Sequence, residues 1–73
     1  MTIDEAKLMA DRPHLFSLEQ LEEALAYLEQ PRIVSRMNNV NDERALQRYV
    51  DRLERLENGI EAIRNADEAR RVS

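Results

Sequence analysis

Residues 42–65 read Asp42-Glu-Arg-Ala-Leu-Gln-Arg-Tyr-Val-Asp-Arg-Leu-Glu-Arg-Leu-Glu-Asn-Gly-Ile-Glu-Ala-Ile-Arg-Asn65. Within this stretch Leu46, Tyr49, Leu53, Leu56, Ile60 and Ile63 recur at alternating steps of three and four. That spacing places all six on one side of an α-helix, in the a and d positions of a heptad seam. Asn41 followed by two acids supplies a capping residue and suits the positive end of the helix dipole. Asp67 occupies the next a position and ends the pattern, so the helix is expected over 42–65 with a frayed tail at 66–73. Asn58-Gly59 is a common turn dipeptide, and glycine inside a helix costs about 1 kcal/mol relative to alanine. The apolar phase nevertheless runs through Gly59 without a slip, which favours one continuous helix.

Working outward from this element, the chain is punctuated by its two prolines. Ser17-Leu-Glu-Gln20 is a capping box opening a second amphipathic helix at 17–30, with Leu18, Leu21, Leu25 and Leu28 on one stripe. Pro31 stops it. Thr2-Ile-Asp-Glu5 is another capping box and predicts a short helix over 3–10, closed by Pro13. Between Pro31 and Asn41 the signals conflict. Ile33, Met37 and Val40 fit a helical face and Pro31 suits a first helical position, whereas Asn38, Asn39 and Asn41 pull towards a turn. A turn or two of helix at 31–38 followed by a connector satisfies both.

The expected architecture is therefore all-α, a single small domain over residues 1–73. It has short N-terminal helices and one long C-terminal helix forming a helical hairpin. Length arithmetic adds a further expectation. A helix over 42–65 is roughly 36 Å long and one over 17–30 roughly 21 Å, and the segment at 2–11 offers only Ile3, Leu8 and Met9 as large apolar side chains. Part of the stripe Leu53–Leu56–Ile60–Ile63 is then expected to stay wet in one chain. Coiled-coil-like homodimerisation through Leu46, Tyr49, Leu53, Leu56, Ile60 and Ile63 would cover it, as oligomerisation often does for small chains without disulfides.

Composition narrows the function classes. The 73 residues contain no cysteine, one glycine and one histidine, and 36% are charged, with a net charge of −4. No disulfide framework or cysteine metal site can form. No apolar run approaches a membrane span, the acidic start is unlike a signal peptide, and acidic polar faces would be repelled by anionic headgroups. No membrane partner is expected, and a cytoplasmic location is. Ten arginines against one lysine suit a small bacterial or phage protein.

Chemistry-bearing constellations are scarce. His14 follows Pro13 in a connector, Ser17 reads as a cap with no base beside it, and Glu22-Glu23 lacks the Glu-x-x-His companion of a helical-bundle metal site. No catalytic residue, cofactor or metal is expected. The long helix carries Arg44, Arg48, Arg52 and Arg55 within about an 80° sector away from the seam, flanked by Glu43, Asp51, Glu54, Glu57 and Glu61. Such a stripe can serve a second, acidic partner, or it can be a solvated face with pairs such as Asp51–Arg55.

The leading functional expectation is thus non-enzymatic protein binding, as an adaptor, assembly factor or inhibitor. The alternative is a small dimeric helix-turn-helix-like DNA-binding regulator using residues 17–37, with Ala24, Val34 and Met37 at plausible packing positions and Arg32, Ser35 and Arg36 facing a groove. Against it, the turn glycine is missing. Residues 1–30 also carry seven acids and two cations, a poor charge for a phosphate backbone.

Overall fold

The computed structural model describes residues 1–72 and, among them, contains helices and no strand. The order is α1 (Ile3–Asp11), a single 3₁₀ turn (Pro13–Leu15), α2 (Leu18–Leu28), α3 (Pro31–Asn38) and α4 (Glu43–Val72).

Each start has a local cause. The Thr2 hydroxyl accepts from the Glu5 amide while the Thr2 amide donates to the Glu5 carboxylate, and Ser17 and Gln20 repeat the exchange at α2. Both capping boxes therefore form as the sequence predicts. Pro31 is the first residue of α3, where its missing amide hydrogen is no loss. At α4 the cap is Asp42 rather than Asn41: its carboxylate accepts from the Arg44 amide at 3.0 Å. A charged acceptor at the positive end of a helix is the stronger choice.

The long helix passes through Asn58-Gly59 unbroken, and Gly59 has no positive φ. Its presence is explained by a neighbour. A Cβ built on Gly59 would lie 2.9 Å from the Cβ of Pro13 and 3.4 Å from Leu21 Cδ1. The glycine lets the 3₁₀ turn rest directly on α4. The helix also continues to Val72, seven residues past its expected end, and its last turn places Arg70 and Arg71 at the negative end of the dipole.

Three helices share one core. Along α4, Tyr49 meets the end of α2 at Leu28, and Arg64 meets its first turns at Glu22, so α2 runs antiparallel to α4. Asp11 at the end of α1 meets Arg52 and Arg55, with Pro13 further on against Gly59, so α1 runs parallel to it. The buried centre consists of Ala6 and Ala10 from α1, Leu21, Ala24 and Leu28 from α2, and Leu56 and Ile60 from α4. Met9, Phe16, Leu18, Leu25, Tyr27, Tyr49, Leu53 and Ile63 line its edge, half-buried.

This arrangement shelters more of the seam than the helix lengths alone suggest. Leu56 is 0% and Ile60 6% exposed, and Leu53 and Ile63 are half-buried against the same core. Helix α1 supplies this shelter through small side chains rather than large ones. Ala6 and Ala10, one turn apart and both fully buried, let α1 sit close against α2 and α4. A two-helix hairpin becomes a three-helix cluster, with α4 its common wall. Only Leu46, beyond the reach of α2, stays 38% exposed. A coil formed through these six residues would need α1 and α2 to leave α4.

Candidate functional site

What α1 and α2 cover, they cover only in part. Helix α4 is about 45 Å long and α2 about 16 Å, and the molecule measures 49 × 22 × 19 Å. Near the start of α4 the gap is bridged by α3, whose Ile33 is buried and whose Met37 is half-buried. The bridge is incomplete and leaves a groove of about 270 Å³ between α1, α3 and α4.

The floor and walls of that groove are apolar: Ile3 from α1, Leu28 at the end of α2, Ile33 and Met37 from α3, Val40 from the connector, and Ala45 and Tyr49 from α4. Its rim carries Lys7, Arg48 and Arg52, and no acidic residue lines it. The α3 segment supplies its wall because Ile33, Met37 and Val40 occupy one helical face, and its end is held by the Asn39 amide donating to the Ser35 carbonyl at 3.0 Å.

Tyr49 ties the floor together. Its hydroxyl donates to the Leu28 carbonyl, one of the backbone acceptors that the end of α2 leaves without a helical partner. Burial, with a smaller contribution from the Glu29 carboxylate, raises the Tyr49 pKa above its ordinary value of 10.0. Both effects disfavour the phenolate.

The four arginines of the expected stripe do not act as one. Arg44 is exposed at the helix start. Arg48 is exposed and its Nε donates to the Arg44 carbonyl at 3.3 Å, with no carboxylate partner among the described residues. Arg52 and Arg55 both turn to Asp11 of α1, at 3.7 and 3.5 Å. Arg52 is the most enclosed, its side chain 25% exposed. Its Nε is shielded from solvent and has no hydrogen-bond acceptor. Asp51, expected to pair with Arg55, instead accepts from Gln47 at 3.0 Å. The structure thus splits the stripe into a clamp on α1 (Arg52, Arg55) and a groove rim (Arg48, Arg52), and it recruits Lys7 to the rim. Nothing in the sequence around Lys7 signals that role, which comes from the parallel course of α1.

A second, wider groove of about 610 Å³ lies between α2 and α4 on another face. Its floor includes Leu25, Ala26 and Ile60, and Glu22, Glu29, Glu57, Glu61 and Glu68 surround it. Its one cation, Arg64, is held by Glu22 at 2.6 Å. The two grooves therefore carry opposite charge.

The remaining candidates have structural positions. His14 is exposed in the 3₁₀ turn, and the Ser17 hydroxyl is engaged as the α2 cap. Among the described residues no group of three or more histidines, cysteines or carboxylates is placed to hold a metal ion, and no helix is long and apolar enough to cross a membrane. For the helix-turn-helix alternative, α2 and α3 are joined by Glu29 and Gln30, and Arg32, Ser35 and Arg36 are exposed on α3. Yet α3 packs principally on α4.

Comparison with known proteins finds no matching family model, no matching curated protein and no matching solved structure.

Proposed function

We propose that this chain is a non-enzymatic protein-binding module, an adaptor, assembly factor or inhibitor, and that its working surface is the groove between α1, α3 and α4. The observation that carries this reading is the groove itself. Apolar side chains from all four α-helices converge there: Leu28 and Ile33 are buried beneath it, Met37, Val40, Ala45 and Tyr49 are half-buried, and Ile3 is exposed at its edge. Small grooves of this kind accept the apolar face of a partner helix.

The six-residue seam plays a different part in this proposal. Packing of Leu53, Leu56, Ile60 and Ile63 in the shared core makes them the foundation of the fold, and docking falls to the surface that remains, including the groove that Tyr49 lines. A homodimer that kept the fold intact would have to use this groove or another outer face. The nucleic-acid alternative retains exposed Arg32 and Arg36 in its favour, against a net charge of −4 and a glutamate-rich α2.

The test is a pair of tagged baits expressed in the native cell, wild type and Met37→Glu. A protein captured in stoichiometric amount by the first and lost from the second supports docking in the groove, provided that circular dichroism shows equal helix content. Equal capture by both baits sinks the assignment. A salt-resistant gel shift abolished by Arg32→Ala would move the function to the regulator alternative.

A further inference from the structure

Resting on that reading, we infer that the groove between α1, α3 and α4 is built for an acidic amphipathic helix of another protein, one with an apolar stripe flanked by Asp or Glu. The charge on its rim carries the argument. The chain as a whole is at −4, and its first 30 residues carry seven acids against two cations. At this groove the sign reverses: three cations line it and no acid does.

Those cations are also poorly neutralised from within. Among the described residues no carboxylate pairs with Lys7 or Arg48, and Arg48 donates to a backbone carbonyl. Arg52 has Asp11 alone, at 3.7 Å, and shares it with Arg55. That distance is beyond hydrogen-bond reach, and the Arg52 Nε remains without an acceptor. Arg64 shows the contrast, since Glu22 holds it at 2.6 Å. Cations so weakly neutralised around an apolar floor are what an incoming carboxylate pairs with as water is displaced.

Other occupants fit less well. At about 270 Å³ the groove falls below the ~300–1,000 Å³ usual for enclosed small molecules, and it suits two or three anchoring side chains spaced one turn apart. A nucleic-acid backbone would use the rim and leave the apolar floor empty. The most acidic helix of a second copy, α2, is a poor match, because its Leu21, Ala24 and Leu28 are buried in its own core.

The experiment is a selection with the full chain as bait. The probe is a displayed library of helical peptides with apolar residues fixed at i, i+4 and i+7 and every flanking position drawn from Glu, Lys, Gln and Ser. The expected result is enrichment of Glu at the flanks. A recovered peptide should bind the Lys7→Glu/Arg48→Glu variant roughly tenfold more weakly, since each reversal replaces an attraction by a repulsion of similar size. Its Glu-to-Lys counterpart should recover affinity for that variant. Enrichment of Lys, or peptides that lose affinity with Met37→Glu but ignore the two rim reversals, would overturn the acidic partner and leave docking in the groove standing. No enrichment, or binding that ignores Met37→Glu as well, would overturn both. Self-association competing with the selected peptides would replace the foreign helix with a second copy and overturn the inference.

Discussion

Replacing Gly59 with alanine sets two effects of known sign against each other. In an unobstructed helix the change stabilises by about 1 kcal/mol, because alanine restricts the unfolded backbone and glycine does not. Here the added methyl would stand 2.9 Å from the Pro13 Cβ, 3.4 Å from Leu21 Cδ1 and 3.6 Å from the Pro13 Cγ. Leu21 can rotate, but the pyrrolidine ring cannot, so the 3₁₀ turn must lift away from α4. Overpacking of this kind costs about 1–3 kcal/mol, which leaves a net loss of about 1 kcal/mol. For a domain of this size that lowers Tm by roughly 4–8 °C. Thermal unfolding followed by circular dichroism measures it, and a double-mutant cycle with Pro13→Gly isolates the cause. With no Cβ at position 13, Gly59→Ala should become stabilising by about the full 1 kcal/mol. A higher Tm for Gly59→Ala in the parent chain, with the same gain beside Pro13→Gly, would refute the close-approach argument.

Tyr49→Phe removes the donor to the Leu28 carbonyl and should cost about 1–3 kcal/mol in urea unfolding, the penalty for a shielded acceptor left unmade. Because the Tyr49 pKa is raised in the folded chain, its contribution is complete below pH 10.0 and is lost as pH rises through the folded-state value. The parent should therefore lose stability above pH 10.0 more steeply than Tyr49→Phe, and parallel alkaline curves would contradict this. Leu56→Ala should cost about 2–5 kcal/mol. Leu56→Asp should abolish helicity outright, whereas folded monomers after that change would return Leu56 to an intermolecular role. Asp11→Asn should cost less than about 1 kcal/mol, since Asp11 and Arg55 are largely solvent-exposed and Arg52 stands 3.7 Å away; a larger loss in chemical denaturation would show that the clamp holds α1 in place.

The parts of this fold that could be read from sequence are those decided within one turn of helix. Thr2/Glu5 and Ser17/Gln20 announce their capping boxes, Pro31 marks its own first position, and the three–four spacing from Leu46 to Ile63 identifies the inner face of α4. Errors arose where the deciding partner is distant in sequence. Ala6 and Ala10 carry little apolar area, yet their smallness brings α1 onto the seam, so that one chain covers Leu56 and Ile60 by itself. Gly59 looked like a conflict until Pro13 supplied the other half of the contact. The arginine sector on α4 was real as a helical face. Its division between Asp11 and the groove depends on where α1 and α3 lie, which no periodicity encodes. The groove was half legible: Ile33, Met37 and Val40 showed a face, but not what they would face.

The placement of α4 has a consequence for how the molecule comes into being. Asp11 waits for Arg55, 44 residues later, and Glu22 for Arg64, 42 residues later. The ribosome therefore delivers α1, α2 and α3 well before the surface on which they settle. During synthesis those segments have only one another, and the core residues Leu56 and Ile60 emerge after all three of them. A stall or a premature stop codon near position 55 would release a peptide in which α1 and α2 can meet only each other, without the Leu56 and Ile60 that complete their core.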